Sequence, residues 1–321
     1  MKNKISLLSF SLISFFLYSL HSNAQNQQVK NPKIDVDLIT RHMNVLASDK
    51  MQGRKVGTEG IELAAQYIES EFEKIGLKKF QAAASYRQTF SKSGMQLSNI
   101  IGVLEGNSKK EDWVVVSAHY DHLGILKPVA GDSIANGADD DASGVSAVLA
   151  LANYWKRKGG NSRTIVFIAF TGEEMGLWGS TYFGTQIKAA HCIAGINIEM
   201  IGKDSKLGPK TAFLTGFDRS DFGAIIQKNL QNSDYRLYPD PYVKFNLFYR
   251  SDNASLARLG VPAHTFSTCP IDKDKYYHTV NDEVQTLDMQ TITNTISAIA
   301  LGTESIISGK DTPTRVTITK E

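Results

Sequence analysis

The spacing of apolar residues predicts an α/β domain, because strand-like and helix-like segments alternate along much of the chain. Short apolar runs, typical of buried strands, lie at 113–118, 164–170, 193–200 and 261–267. Segments with helical spacing lie between them, at 142–155, 177–187 and 254–259. This alternation favours βαβ units and therefore a mostly parallel or mixed central sheet.

Further patterns predict the elements on either side of this central region. Strand-like spacing also occurs at 86–90, 96–104 and 211–214, and helical spacing at 34–47, 58–76, 221–230 and 287–307. The first two of these strands indicate a hairpin at one edge of the sheet, and the last helix is long enough to cover the sheet. No internal repeat or linker divides the chain, so we predict a single domain over residues 34–308, followed by a peripheral tail at 309–321.

Two stretches lack a clear period. The turn-rich segment 52–57 contains the basic pair Arg54 and Lys55, which we expect to be solvated, with at most a contact at the rim of a site. The segment 235–249 is rich in proline and aromatic residues. Its aromatic side chains either form one wall of a substrate pocket or pack a long loop onto the core, and the pattern leaves both open.

The first 24 residues have the pattern of a secretory signal peptide. Lys2 and Lys4 precede the apolar run 5–20, and Ser22-Asn23-Ala24 offers small residues for cleavage. A membrane anchor is the alternative, but the run is short for a spanning helix of about 20 residues. We therefore predict a secreted or periplasmic protein, with cleavage after Ala24 and a flexible mature N-terminus at 25–33.

The charge balance excludes several classes of partner. The 321-residue chain has 35 basic and 33 acidic side chains. Cleavage after Ala24 would remove two lysines and no acidic residue, which leaves a formal charge of zero. No basic block with interleaved aromatic residues is present, so the sequence indicates neither nucleic acid nor, after signal cleavage, a membrane as a partner. Small or peptide substrates fit this balance, and the oligomeric state is left open.

The two cysteines are expected to be unpaired. Cys192 opens one strand-like run, whereas Cys269 follows another. If these strands are parallel, the two sulfur atoms lie at opposite edges of the sheet, beyond the reach of a disulfide bond. A disulfide remains the alternative in an oxidising compartment.

Residues able to bind metal follow the predicted strands. His119 comes directly after the run that contains Val114–Val116, and Asp121 lies two residues further on. An imidazole that binds a metal needs its other nitrogen held, and Asp121 is the natural partner for His119. Alone, a His-x-Asp pattern is more typical of a surface turn.

Three consecutive acidic residues, Asp139 to Asp141, lie in a loop of small residues before a predicted helix. Capping and the helix dipole account for one or two of them, but three carboxylates at one place are costly without a cation. Calcium is one possible ion, but nearby histidines favour a zinc-like ion.

Four more candidates follow predicted strands in the same way. Glu173 and Glu174 come after the run 164–170, so that one can bind a metal while the other accepts a proton from a water acidified by that metal. Glu199 lies at the end of the run 193–200, and His278 lies in the loop beyond 261–267. Because open α/β sheets gather their sites at the carboxyl ends of strands, we expect these residues to meet.

These motifs resemble those of the co-catalytic di-zinc exopeptidases of metallopeptidase family twenty-eight, which includes leucyl aminopeptidases and glutamate carboxypeptidase-like enzymes. The resemblance covers roughly residues 38–307, through the motifs AHYDHLG, GADDDASG, GEEMGLWGS, NIEMIG and YHTVND. It implies a three-layer α/β/α fold with a mixed, mostly parallel sheet, two zinc ions and a peptide substrate. The predicted domain at 34–308 would then be a zinc peptidase catalytic domain.

The resemblance also implies a role for each residue that matches a motif. Asp140 would bridge the two zinc ions, with His119 and Glu199 completing one site and Glu174 and His278 the other. Glu173 would be the general base beside a metal-bridging hydroxide. Tyr277 would donate to the tetrahedral oxyanion, and Asp121 and Asp282 would support the ligands from outside. A cis peptide bond after Asp140 is expected, and Glu199 replaces the more usual aspartate.

Several functions remain in competition. The leading hypothesis is a secreted zinc aminopeptidase that hydrolyses N-terminal residues from peptides. A carboxypeptidase or dipeptidase of the same fold is the main alternative, in which Arg250 would bind a substrate carboxylate. Glutaminyl cyclisation at a single zinc and a metal-free binding ectodomain are disfavoured, because all five ligand positions and Glu173 are present.

Overall fold

The structure is a computed structural model that describes residues 31–317. The predicted signal peptide, residues 1–24, lies outside these residues. The helices are α1 (Val36–Leu46), α2 (Glu59–Ile75), α3 (Gly144–Lys158), α4 (Trp178–Thr185), α5 (Phe222–Leu230), α6 (Asn253–Ala257), α7 (Met289–Gly302) and α8 (Glu304–Ile307). The strands are β1 (Lys78–Lys79), β2 (Arg87–Lys92), β3 (Met95–Leu104), β4 (Lys109–His119), β5 (Gly124–Val129), β6 (Asp132–Ala135), β7 (Arg163–Phe170), β8 (Cys192–Ile198), β9 (Thr211–Leu214), β10 (Arg236–Pro239) and β11 (Ala263–Ser267).

The central sheet is mixed, with a parallel centre. Its strands lie in the order β1-β3-β7-β4-β8-β11-β9-β10, and β2 also pairs with β3. The four middle strands, β7, β4, β8 and β11, are parallel to one another, whereas β3 and β9 run antiparallel to their central neighbours. The predicted hairpin of β2 and β3 lies at the edge of the sheet. The carboxyl ends of the four middle strands therefore meet at one edge.

Helices cover both faces of the sheet, which gives three layers and confirms the predicted fold class. Along β7, Ile165 and Phe167 belong to the larger core cluster, which also includes residues of α1, α2, α3, α5 and α7. The alternate residues Val166 and Ile168 belong to a smaller cluster with side chains of α4 and α6. Successive side chains of a strand point to opposite faces, so a continuous apolar run is buried on both sides.

The amphipathic helix α2 shows how the sequence fixes an element locally. Its apolar face buries Ile61, Ile68 and Phe72 in the larger cluster, and each such side chain contributes about 1.5–3 kcal/mol. The helix ends at Gly76, which has a φ of 74° and donates its N–H to the carbonyls of Phe72 and Glu73. A left-handed residue at this place is easiest for glycine.

Three features differ from the prediction or add to it. The long helix predicted at 287–307 is divided into α7 and α8 at Thr303, directly after Gly302, whose missing side chain makes room for Ile226. The hairpin of β5 and β6 was not predicted, because β5 is largely exposed and contains Pro128, so it lacks an apolar pattern. The short strand β10 was not predicted either.

Both cysteines are free and buried, as expected. Cys192 begins β8, and Cys269 follows the parallel strand β11, so they belong to opposite edges of the sheet. Among residues 31–317, no helix combines the length and the apolar character needed to cross a bilayer.

Candidate active site

The predicted metal ligands and the predicted general base lie together at the carboxyl ends of the parallel strands. His119 is the last residue of β4 and Glu199 follows β8 directly, while Glu173 and Glu174 follow β7 after two residues. Two loops complete the cluster, with Asp140 in the segment that leads into α3 and His278 in the segment between β11 and α7. The site therefore draws on three parallel strands and two loops.

The first group of possible ligands, which we name the deep set, consists of His119, Asp140 and Glu199. Their ligand atoms all lie within 4.8 Å of one another. The Nε2 atom of His119 is 3.1 Å from Oδ1 of Asp140, and the two side chains are 1% and 2% exposed. His119 Nε2 and Glu199 Oε2 are buried and have no hydrogen-bond partner among the described residues. Lone pairs that face each other in this way fit a shared cation.

The second group, which we name the outer set, consists of Asp140, Glu174 and His278. The Nε2 atom of His278 is 3.2 Å from Oδ2 of Asp140 and 3.3 Å from Oε2 of Glu174. The two oxygens of Asp140 therefore face different imidazoles, one in each set. The His278 side chain is 36% exposed, so the outer set opens towards solvent.

The carboxylates of the site fall into two kinds: burial raises the pKa of Glu173 and Glu199, whereas the nearby histidines outweigh burial and lower the pKa of Asp140 and Glu174. Burial raises the pKa of Glu199 to about 7, with a further rise from Asp140, and the nearby His119 lowers it. Burial likewise raises the pKa of Glu173 well above its usual value, and His119 offsets part of this rise. Two imidazoles and several carboxylates are the donor set that zinc prefers, so the residues present fit zinc at both sets.

Each of the three consecutive aspartates has a different environment. Asp139 accepts the N–H of Gly202 at 2.7 Å and lies 3.3 Å from the ammonium of Lys203. Asp140 faces the two imidazoles. Asp141 accepts the N–H of Gly144 at 2.9 Å through Oδ1. The peptide bond between Asp140 and Asp141 is cis, as the resemblance implied.

The carboxylates of Asp121 and Asp282 accept hydrogen bonds from backbone N–H groups in the segments that carry the candidate ligands. The Asp121 carboxylate accepts the N–H groups of Glu173 and Glu174 at 3.1 and 3.3 Å. Against expectation, the group that His119 Nδ1 contacts at 3.1 Å is the backbone carbonyl of Asp121, whose carboxylate Oδ1 is 3.9 Å away. Asp282 accepts the N–H of Asp140 at 3.0 Å. Both aspartates therefore orient the backbone of residues whose side chains are candidate ligands.

Arg54 was expected to be solvated, and this prediction is wrong. Its side chain is fully buried behind the site. The guanidinium donates to the carbonyls of Leu46 and Asn136 at 2.6 Å and to those of Tyr120 and Gly137 at 2.9 Å. It therefore fastens the two segments that carry His119 and Asp140, and it places a permanent positive charge beside the acidic residues. Burial is predicted from apolar residues at helical or strand spacing. An arginine in a polar turn belongs to no such pattern, so its burial could not be predicted.

No role was predicted for His122. Its Nδ1 atom is 3.0 Å from Oε1 of Glu174, and its ring is buried. The signal available was a second histidine in the same short motif, three residues after His119. Because residues 120–123 between β4 and β5 belong to neither a helix nor a strand, spacing alone could not show which histidine reaches the site.

A cleft opens beside the two sets. Glu173, Tyr277 and Arg250 line it together with apolar side chains. The ring of Tyr277 stacks on that of His278 with their centroids 3.8 Å apart. None of the six aromatic side chains at 235–249 lines the cleft, and the two most buried, Tyr242 and Phe248, pack in the interior. Tyr242 and Phe248 therefore pack as the second of the two alternatives predicted, whereas Tyr238 and Phe245 are 40% and 39% exposed.

Comparisons with known proteins agree with this geometry. The model of peptidase family M28 matches residues 99–302. Leucine aminopeptidase 1 of Trichophyton rubrum is 27% identical over 283 residues, which cover 84% of this chain and 72% of that protein. A probable zinc metalloprotease of Pyricularia oryzae is 29% identical over 166 residues, 48% of this chain but only 31% of that protein.

Solved structures share the fold at lower identity. The LapA aminopeptidase of Legionella pneumophila superposes with a TM-score of 0.66 at 23% identity, covering 86% of this chain and 72% of that one. The zinc aminopeptidase BSAP of Bacillus subtilis gives a TM-score of 0.71 at 14% identity, covering 91% of this chain and all of that one (100%). Because the family model matches well over half of the chain, the protein belongs to peptidase family M28.

Proposed function

We propose that the protein is a secreted di-zinc aminopeptidase that hydrolyses the N-terminal residue from peptides. The observation that carries this proposal is the position of Asp140, whose two oxygens lie 3.1 and 3.2 Å from the imidazoles of His119 and His278. A carboxylate between two sets of ligands is what a co-catalytic pair of ions requires. The name of the Trichophyton rubrum relative supports the choice of an aminopeptidase.

The deep set would hold one zinc ion and the outer set the other, with Asp140 shared between them. When bound, the ions would polarise the scissile carbonyl and acidify a water molecule. Asp121 and Asp282 would keep Glu174 and Asp140 in place through the hydrogen bonds to their N–H groups.

Glu173 would act as the general base. Burial raises the pKa of its carboxyl group, which makes it a better proton acceptor than an exposed glutamate, and it lines the cleft. It would accept a proton from the attacking water and deliver it to the leaving amine. Tyr277 lines the same cleft, where its hydroxyl would donate to the oxyanion of the tetrahedral intermediate.

The test is a comparison of wild type with Glu173→Gln on aminoacyl-nitroanilides, with zinc content measured in parallel. We expect two zinc ions in both proteins and a loss of kcat of about 10²–10⁴-fold in the variant, because the amide cannot accept the proton. Retention of full activity by the variant would remove Glu173 from this role. One bound zinc in the wild type would contradict the di-zinc proposal.

A carboxypeptidase or dipeptidase is the second candidate, because Arg250 lines the cleft and a guanidinium binds a carboxylate well. N-blocked peptides with a free carboxylate, assayed beside free-amine substrates, separate the two activities. Cleavage of the N-blocked peptides alone would replace the aminopeptidase assignment.

Sequencing the N-terminus of protein exported by the native host tests the proposed cleavage after Ala24.

A further inference from the structure

We propose that His122 is a positioning residue that fixes Glu174 in the outer set. In this role its Nδ1–H donates to Oε1 of Glu174, which leaves Oε2 directed at the ion. The inference rests on the proposed di-zinc function and assigns a residue that the sequence motifs left without a role. It concerns only how the outer ion is held.

The contact between the two side chains defines which group donates. The Nδ1 atom of His122 is 3.0 Å from Oε1 of Glu174 with the geometry of a hydrogen bond. An ionised carboxylate can only accept, so the proton lies on Nδ1. The His122 side chain is 0% exposed, and its partner is 10% exposed. A hydrogen bond to a charged group is stronger than one between neutral groups, and this one is shielded from water.

The other oxygen of Glu174 shows what this hydrogen bond achieves. Oε2 is 3.3 Å from Nε2 of His278, the remaining imidazole of the outer set. A glutamate has three side-chain torsions, so a free carboxylate would rotate and exchange its two oxygens. With Oε1 held by His122, the carboxylate presents a single oxygen to the ion.

His122 is itself fixed from two sides. Its backbone N–H donates to the carbonyl of Arg54 at 3.2 Å. Its ring lies against Gly137, where an added Cβ would come within 2.6 Å of ring carbons Cγ and Cδ2. Gly137 also has a φ of 56°, in the left-handed region. The glycine therefore provides the space in which the imidazole is held.

Direct ligation by His122 is the competing explanation. Ligand atoms of His122, Asp140 and Glu174 lie within 4.8 Å of one another. However, Nδ1 is 3.8 Å from Oδ2 of Asp140 and only 3.0 Å from Glu174. His278 Nε2, by contrast, is almost equally close to both carboxylates, at 3.2 and 3.3 Å. His122 therefore faces Glu174 alone, which favours the positioning role.

The experiment compares His122→Asn with His122→Leu in the full mature chain. The asparagine amide nitrogen lies near the position of Nδ1 and keeps a donor, whereas leucine fills the space without one. The matched control is His42→Asn, because His42 is also buried and bonds through Nδ1, to the hydroxyl of Tyr67 at 2.7 Å, away from the site. The readouts are the stepwise zinc affinities, from competition with a chelator, and kcat and KM separately.

We expect His122→Leu to weaken binding of the second zinc by about 10–100-fold, the usual effect of losing a partner that orients a ligand. The first zinc should bind with unchanged affinity, which also reports that the variant is folded. At subsaturating zinc kcat should fall while KM stays close to wild type. His122→Asn should recover the second affinity to within about threefold, and His42→Asn should leave both affinities unchanged.

Two results would overturn the inference. Wild-type affinity for the second zinc in His122→Leu would show that the hydrogen bond holds nothing, and an equal loss in both His122 variants would indicate direct ligation. These results differ from a failure of the proposed function, which would be seen in the wild type itself as one bound zinc or as no cleavage of free-amine substrates.

Discussion

The deep and outer sets share Asp140 but are built differently. The deep set takes His119 and Glu199 from the ends of two neighbouring strands in the middle of the sheet, and His119 is 1% exposed. The outer set takes Glu174 and His278 from loops, and His278 is 36% exposed. Backbone hydrogen bonds of the sheet hold the segments that carry the first pair, whereas Glu174 of the second pair is held by Asp121 at its N–H and contacted by His122 at its carboxylate.

Under the proposed di-zinc function, this difference implies that the two sets would bind their ions unequally. Ligands on strands within a packed core lose little freedom when they bind a metal, whereas ligands on loops must be ordered first. The deep ion should therefore bind more tightly and leave last. Because both sets share the Asp140 carboxylate, a substitution of Asp140 should weaken zinc binding at both sets. A substitution of a residue that belongs to one set alone should reveal the difference in affinity between them.

The largest effect is expected from Asp140→Asn, which removes the charge that both ions share. Both zinc affinities should fall, and kcat/KM should fall by about three orders of magnitude or more, since the ions contribute several kcal/mol to transition-state stabilisation. Metal analysis after dialysis and the nitroanilide assay measure the two losses. Two tightly bound zinc ions in this variant would show that Asp140 is not shared.

The next effect separates the sets through their histidines. His278→Ala should keep one tightly bound zinc and cost less than about 1 kcal/mol in stability, because the side chain is partly exposed. His119→Ala leaves Oδ1 of the buried Asp140 without its partner, which should cost about 3–5 kcal/mol in the free energy of unfolding. Zinc content and urea unfolding of each variant test this order. Equal effects of both substitutions would contradict the inequality of the sets.

The smallest effect concerns pH. Burial lowers the pKa of His278, but hydrogen bonds and charges of Asp140 and Glu174 outweigh it and raise the pKa to about 10 in the metal-free protein. At pH 7 this imidazole carries a proton that zinc must displace, so affinity for the outer ion should rise with pH, by up to about tenfold per unit for one proton. Chelator competition at pH 6, 7 and 8 measures this slope. His278→Gln should flatten it for the outer ion, and an unchanged slope would show that His278 is not the group that titrates.

Much of the fold could be predicted because its core strands are continuous apolar runs. The parallel centre of the sheet follows from the alternation of such runs with helical segments, and it carries His119 and Glu199 to one edge. The β5–β6 hairpin was not predictable in this way. Its residues are mostly exposed, so neither face leaves an apolar pattern in the sequence.

The candidate ligands could be named from motifs, but their supporting contacts could not. Asp121 was expected to hold His119 through its carboxylate, whereas that carboxylate accepts N–H groups from the two glutamates. Arg54 and His122 act over long separations in the chain, 83 residues from the guanidinium to Gly137 and 52 from His122 to Glu174. Hydrogen bonds of this kind depend on which loops become neighbours in the folded protein. The local spacing of residues in the sequence does not indicate these neighbours.

The buried guanidinium of Arg54 has a consequence for how the protein can be divided. The segment matched by the family model, residues 99–302, contains every candidate ligand yet begins well after Arg54. A fragment cut to that segment would keep all the coordinating atoms and lose the one permanent charge that holds Asn136 and Gly137 in place. We therefore expect a shortened version to keep the loop around Asp140 in place only if it starts before Arg54.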